Sequence, residues 1–297
     1  MAALLVTGGT GQVGSALRRL STPELEVVAP DRAALDLTDP EALAAMVASR
    51  PWAAVVNAAA YTAVDKAESD VVAAWRINAL APAALAAATA SAGIPLIHIS
   101  TDYVFDGSKA DFYVEDDPVA PLGVYGASKL GGELAVRTSN PAHVILRTAW
   151  VVSPDGANFV KTMLRLGAER PKLGVVADQF GCPTSAADIA TAVMVIAQAF
   201  AADGDAPNGT YHFVNAGEAS WHELAGAVFE QAAHHGRPTP EVAAIATSDY
   251  PTPARRPANS RLATTKITRD FAITPRPWRV GIDEIVDQLL AKEPIKA

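Results

Sequence analysis

Tyr125-Gly126-Ala127-Ser128-Lys129 sets a phenol and an ammonium at positions i and i+4. On a helix that spacing stacks one side chain above the other. A phenol with a pKa near 10 is a poor acid–base group at neutral pH, and a neighbouring ammonium stabilises the phenolate and lowers that value. The pair therefore reads as a proton-transfer unit in which Lys129 depresses Tyr125, and Lys129 can also hold ribose hydroxyls of a cofactor. By itself the pattern is common and most often marks an ordinary exposed helix pair, so its context decides.

A third group should come from LIHISTDYVFDG, residues 96–107, where an apolar run ends abruptly in Ser100-Thr101-Asp102-Tyr103. Side chains alternate along a strand, so only one of Ser100 and Thr101 is expected to face the site. Tyr103 is the rival phenol. Its nearest downstream lysine, Lys109, lies across a Gly-Ser loop, so Tyr125 is preferred.

The first apolar run leads into Thr7-Gly8-Gly9-Thr10-Gly11-Gln12-Val13-Gly14, with Gly8, Gly11 and Gly14 spaced G-x-x-G-x-x-G. Glycines there permit a tight turn, a close approach of backbone N–H groups to a pyrophosphate, and close helix–strand packing. Asp31 follows at about the 20-residue spacing expected of a ribose-binding acid. Asp31 suits the 2′-hydroxyl of NAD, and Arg32 beside it suits the 2′-phosphate of NADP. Asp36 is a candidate for the adenine edge or else a solvated loop acid. Asn57-Ala58-Ala59-Ala60 would let a cofactor lie flat over the strand ends, or is plain alanine packing.

The elements that must position these residues alternate. Strands are expected at Ala3–Thr7, Glu26–Ala29, Ala54–Asn57, Leu96–Ser100 and Val144–Arg147. Helices are expected at Gln12–Leu20, Pro40–Ser49, Glu68–Ala92 and Tyr125–Arg137, then near 156–169, 186–201 and 220–235. Asp39-Pro40 is a helix start and Gly93 a helix stop. This is an α/β chain: a Rossmann-type, doubly wound parallel sheet with a smaller C-terminal α/β substrate lobe. Residues 1–150 read as the NAD(P)-binding domain and 151–297 as mainly the substrate lobe, with the helix at about 186–202 returning to the first domain. Residues 250–262, YPTPARRPANSRL, form a long Pro-rich basic loop, a kind that is usually functional or disordered. Arg255, Arg256 and Arg261 in it could neutralise a substrate diphosphate.

Half of the 297 residues are hydrophobic, 19% are charged, and the net charge is −8. That balance argues against nucleic acid or an anionic membrane surface as the main partner. One cysteine, Cys182, suits a reducing cytoplasm and lacks the electropositive neighbours of a catalytic thiol. The N-terminus has no basic leader region, and the apolar segments near 79–92 and 186–202 do not read as membrane spans. The last residues, AKEPIKA, read as an exposed tail. His98 lies within a strand and reads as a packing residue. His143, His212, His222, His234 and His235 show no metal-ligand spacing, so no metal site is assigned.

TGGTGQVG, NAAAYTAVDKAE, STDYVFDG, YGASK, RTAWVV, NFVKTMLRL, DQFGCPT and PTPARRPANSRL occur in the order found in dTDP-4-dehydrorhamnose reductases, which the chain resembles over nearly its whole length. These are members of the extended short-chain dehydrogenase/reductase family. The resemblance implies reduction of the 4-keto group of dTDP-4-dehydro-L-rhamnose to dTDP-L-rhamnose by NADPH or NADH, with a slight preference for NADPH. It implies Tyr125 as proton donor, Lys129 as its partner and Thr101 as the tuning hydroxyl, the latter also hydrogen-bonding the substrate oxygen. It places Gly11, Gln12, Val13, Asp31, Asp36, Leu37, Ala59, Ala60 and Tyr61 at the cofactor. It places Val64, Thr101, Asp102, Tyr125 and Trp150 at the sugar nucleotide, and Asn158, Arg255 and Arg261 are further candidates for the substrate side. Some members are magnesium-bridged dimers using a glutamate just after the glycine loop. Here Gly14-Ser15-Ala16 has no acid, so that metal and dimer are not carried over, and magnesium and a homodimer stay open. A sugar-nucleotide epimerase or dehydratase is a rival, although the second acid of dehydratases is missing after Thr101. A regulatory subunit of a methionine adenosyltransferase is the other.

Overall fold

A computed structural model describes residues 2–202 and 206–291; the expected tail at 292–297 lies outside them. In chain order, β1 (Ala2–Thr7) is followed by α1 (Gln12–Arg19), β2 (Leu25–Val28), α2 (Pro40–Ala48) and β3 (Ala54–Asn57). Then come α3 (Val64–Ala67), α4 (Val71–Trp75), a π-helical turn (Arg76–Leu80), α5 (Ala81–Ser91), β4 (Leu96–Thr101), α6 (Val124–Ser139) and β5 (His143–Thr148). The remainder holds β6 (Val151–Val152), α7 (Phe159–Glu169), β7 (Lys172–Val176), β8 (Phe180–Gly181), β9 (Thr184–Ser185) and α8 (Ala186–Ala202). It closes with β10 (Gly209–His212), β11 (Ala219–Ser220), α9 (Trp221–His234), β12 (Glu241–Ile245), α10 (Thr265–Phe271) and α11 (Trp278–Ala291).

Six strands form one parallel sheet in the order β10-β5-β4-β3-β1-β2. Alternation along β1 explains why both faces are covered. Leu4 and Val6 pack with α1 and with Ile189, Ala190 and Val193 of α8. Ala3 and Leu5 pack on the other face with Leu43 and Val47 of α2 and Leu85 of α5. The chain passes from β1 outward to β2, then returns to β3 on the other side, so the strand order reverses beside β1. Open α/β sheets bind ligands outside the carboxyl ends of their strands at such a reversal. A smaller core joins α7, α9, α11 and β7, including Val160, Leu173, Val228 and Ile285.

Local signals explain most boundaries. The Asp39 carboxylate accepts from the Glu41 and Ala42 N–H groups, capping α2 and stabilising it by about 1 kcal/mol. The helix expected from Glu68 begins at Val71 and contains the π turn. That turn buries Asn78, whose side chain binds both backbone groups of Tyr61 and the Ser128 hydroxyl. The helix expected from 156 begins at Phe159, because Gly156 takes positive φ and Asn158 caps the first turn. The sixth sheet strand, β10, and the parallel pair β7–β12 were absent from the sequence reading. Both are short and depend on partners far away in sequence. The helical run Val71–Ser91 is long and apolar enough to cross a membrane, but here it packs between α2 and α6.

Candidate active site

The carboxyl ends of β1, β3, β4 and β5 open onto a cavity of about 840 Å³. Gly8 opens its floor at φ +76°. A Cβ there would lie 2.7 Å from the Ala59 backbone, and one on Gly14 would lie 2.1 Å from the Gly8 carbonyl oxygen. The turn is closed by Gly11 N–H donating to the Gly8 carbonyl, 2.9 Å. Gly11 then starts α1 without any side-chain cap, so the first N–H groups of the helix face the cavity mouth with their positive dipole end. A dinucleotide pyrophosphate fits that cradle. Gly14→Ala is expected to weaken NADPH binding by about 1–3 kcal/mol through overpacking, measured as Kd by quenching of protein fluorescence; an unchanged Kd would remove the loop from the cofactor site.

Gly8, Gly11, Gln12, Val13, Asp31, Arg32, Asp36, Leu37, Ala59, Ala60 and Tyr61 all line this cavity; Gly14 lies one turn behind, packed on Gly8. Asp31 and Arg32 are both exposed on the rim. Asp36 accepts from the Thr38 N–H and hydroxyl, and those bonds hold its carboxyl below the usual range. Tyr61 spends its hydroxyl on Asp70, 3.1 Å away.

Opposite lie Tyr125, Lys129 and Thr101. Tyr125 leaves part of its ring open to the cavity, while its hydroxyl lies deep among protein atoms. Burial pushes its pKa up to about 12; the nearby Thr101 hydroxyl opposes that rise, and the Asp102 charge adds to it. The expected depression by Lys129 is therefore not observed. Lys129 is 2% exposed and donates to the Ile99 carbonyl at 2.7 Å. Burial lowers Lys129 to about 8, and Glu133 works against that fall.

The pair Ser100 and Thr101 separates by partner. Ser100 donates to Glu133 at 2.6 Å, so Thr101 is the hydroxyl beside Tyr125. Thr101 donates to the Asp102 carboxylate at 2.9 Å, and that bond takes the proton expected to reach a substrate oxygen. Tyr103 stacks edge-on against Tyr125, with centroids 5.5 Å apart. Burial, followed by the Asp102 charge, raises its pKa even further.

Val64, Asp102, Trp150 and Asn158 also line the cavity. Trp150 takes a left-handed φ of 48° and stacks on Trp221 at 3.5 Å. Asn158 donates to Gln12 and to the Ser153 carbonyl while capping α7, which ties the glycine turn to the second core. Arg255 and Arg261 are not brought to this cavity. Arg261 pairs with Glu218 at 2.7 Å, Arg256 pairs with Asp65 at 2.7 Å, and Arg255 is exposed elsewhere. The Pro-rich loop is pinned instead, with Phe180 donating to Ala258 and Ser260 donating back to Phe180, each at 2.8 Å.

Trp221, Phe159 and Thr148 line the cavity too and were missed. Trp221 lies inside a Ser-x-x-Glu capping box, directly after Ser220, which predicts a helix start but not which cavity its first residue meets. His98 is fully buried against Asn57, as a packing residue. Cys182 is buried, and burial pushes its thiol up to about 12. Among the described residues no cluster of three or more His, Cys, Asp or Glu could hold a metal ion.

The chain matches the family described as RmlD substrate binding domain over residues 1–291. A dTDP-4-dehydrorhamnose reductase of Sinorhizobium fredii is 46% identical over 288 residues, covering 97% of each chain. A crystal structure of a dTDP-4-dehydrorhamnose reductase from Clostridium acetobutylicum superposes with TM-score 0.89 at 37% identity, covering 97% of this chain and 99% of that one. One from Bacillus anthracis in complex with NADP gives TM-score 0.89 at 33% identity, covering 97% and 100%.

Proposed function

Because the chain belongs to the RmlD substrate-binding-domain family, we propose that it is an NAD(P)H-dependent reductase. Its reaction converts the 4-keto group of dTDP-4-dehydro-L-rhamnose to the hydroxyl of dTDP-L-rhamnose. The observation that carries this reading is one cavity holding a dinucleotide cradle on one wall and the Thr101–Tyr125 pair on the other. The full-length relatives named as dTDP-4-dehydrorhamnose reductases supply the substrate.

A bound nicotinamide supplies hydride to the keto carbon. Negative charge then develops on the keto oxygen, and Tyr125 gives up its phenolic proton there. Its raised pKa keeps that proton in place throughout the neutral range. Lys129, buried beneath, fixes the floor through Ile99 and offers its remaining N–H donors to a ribose. Thr101 holds the Tyr125 hydroxyl in position. Asp102 and Val64 face the sugar, and Trp150, backed by Trp221, forms an apolar wall for a ring. Asn158 sets the distance between the two walls through Gln12. Residues 1–150 carry the cofactor side and 151–297 mainly the substrate side, with α8 packed back on α1.

Asp31 and Arg32 pull cofactor choice in opposite directions; Arg32 at the rim and the NADP held by the Bacillus anthracis relative favour NADPH. The buried, unpaired Cys182 fits a cytoplasmic setting.

NADPH consumption is the test, run with enzymatically generated dTDP-4-keto-L-sugar against its D epimer. Oxidation of NADPH with the L sugar is expected, and none with either sugar would overturn the reading. Lys129→Ala is expected to lower both kcat and NADPH affinity by about tenfold or more, roughly the 1.4 kcal/mol of one charge-assisted hydrogen bond. Unchanged affinity in that variant would show that Lys129 does not touch the cofactor.

A further inference from the structure

Trp150 holds a left-handed backbone, with φ at +48°. A bulky residue adopts that region only where its surroundings fix it. Three neighbours do so. The Trp221 indole lies within 5° of parallel to the Trp150 indole, with ring centroids 3.5 Å apart. Aromatic pairs prefer an offset or edge-on contact to such a face-to-face stack, so the packing imposes it. Gly181 makes the room, since a Cβ there would lie 2.4 Å from the Trp150 ring. The Thr184 N–H donates to the Trp150 carbonyl at 3.1 Å.

Trp221 is fixed in turn. Its Nε1–H donates to the Gln179 side-chain oxygen at 3.1 Å. Gln179 is 5% exposed, and its amide nitrogen donates to the Thr247 hydroxyl at 3.0 Å. Thr247 donates to Asp178 at 2.6 Å. The Phe159 ring leans on Trp221, with centroids 4.8 Å apart. Both indoles nevertheless stay partly exposed and line the cavity. The same cavity carries the polar side chains of Thr101, Asp102 and Tyr125.

We infer that Gln179 and Trp221 are positioning residues that hold Trp150 for the sugar half of the substrate, and that this stack selects the sugar. A pyranose carries patches of C–H beside its hydroxyls. An indole accepts a C–H patch, whereas a hydroxyl turned toward it loses water and gains no partner. A 6-deoxy sugar has a methyl group where other hexoses carry a hydroxyl, which suits an apolar wall facing polar groups. A ring already locked in place loses little further freedom when the sugar arrives, so the lock itself contributes affinity. Gln179 acts through Trp221, and Trp221 acts largely through Trp150. This inference rests on the reductase reading above.

The test reads the free enzyme first. The chain has five tryptophans, and the indole N–H signals of Trp150 and Trp221 are assigned in ¹⁵N–¹H spectra by their absence in Trp150→Phe and Trp221→Phe. The Trp150 signal is expected to lie upfield, shielded by the Trp221 ring, and to move downfield in Trp221→Leu. The Trp221 N–H is expected to exchange slowly, and faster in Gln179→Met, which keeps both rings and removes the acceptor. A Trp150 signal that stays in place in Trp221→Leu overturns the inference. Calorimetry then compares dTDP-L-rhamnose with dTDP on enzyme saturated with NADP⁺. Trp221→Leu is expected to weaken dTDP-L-rhamnose by about tenfold and Gln179→Met by about threefold, with dTDP changed by less than about twofold in both. If Trp221→Leu fails to fold, Gln179→Met carries the comparison. Unchanged affinity for dTDP-L-rhamnose overturns the inference. So does an equal loss for dTDP, which would place the stack at the nucleotide. Failure of the wild type to oxidise NADPH would instead overturn the reductase reading, because the free-enzyme spectra need no substrate.

Discussion

Tyr125→Phe is expected to lower kcat for NADPH-dependent reduction by about 10²–10⁴-fold, the loss of one positioned proton donor, while NADPH Kd stays within roughly threefold. The substitution removes one oxygen and keeps the ring. The edge-on contact with Tyr103 survives it, and so does the start of α6, which relies on backbone groups and on Glu68 accepting from Val124 N–H. The loss should therefore fall on the chemical step. Stopped-flow measurement of the hydride step, beside a fluorescence titration of NADPH, separates the two. Wild-type turnover in this variant would remove Tyr125 from the reaction. Tyr103→Phe is the matched control: its phenol is also buried, but it donates nothing to Thr101, since only its backbone N–H does so. That variant should retain turnover within about tenfold.

Glu133→Ala is expected to cost the fold about 3–5 kcal/mol, because it strands a buried charge. Glu133 is fully buried, and it holds Arg147, itself 2% exposed, through two bonds of 2.9 and 2.7 Å. Ser100 donates a third bond to the same carboxylate. Removing Glu133 leaves the Arg147 guanidinium in β5 with the Glu115 carbonyl as its other partner, 3.3 Å away. It also removes the charge that resists the fall of Lys129, so Lys129 should titrate below its present value of about 8. A urea melt measures the first effect, and a midpoint shift worth less than about 1 kcal/mol would show that Arg147 finds other partners. Glu133→Leu with Arg147→Met should recover much of the loss, since replacing both members of a buried pair by apolar side chains is often close to neutral. Arg137, whose pairing with Glu133 is long at 3.9 Å and half exposed, should contribute little.

These two residues show where the sequence was legible. Tyr125 could be paired with Lys129 from spacing, since i and i+4 on a helix are neighbours whatever surrounds them, and the glycine turn and alternating strands then singled that pair out. Glu133 sits one further turn along the same face, below Lys129, and the same arithmetic would have placed it there. Its partner Arg147 could not be read, because an arginine inside an apolar strand gives no local sign of which helix covers it. The glycine turn was legible for a similar local reason: Gly8 needs positive φ, and Gly14 has no room for a Cβ. Asp39 and Gly93 marked helix ends through their own backbone chemistry.

By itself, then, the sequence determined the parallel α/β rhythm, the dinucleotide turn, the Tyr125–Lys129 helix and the polar end of β4. All of these depend on residues within a few positions of one another. The tertiary structure alone decided which hydroxyl meets Tyr125, and that Lys129 is spent on Ile99 rather than on lowering Tyr125. It alone decided that Arg256 and Arg261 are held by Asp65 and Glu218, and that Trp221 stands behind Trp150. Each of those outcomes depends on burial or on a partner brought close only by packing. Desolvation and charge pairing are properties of the surroundings, and in a chain the surroundings are set by the fold.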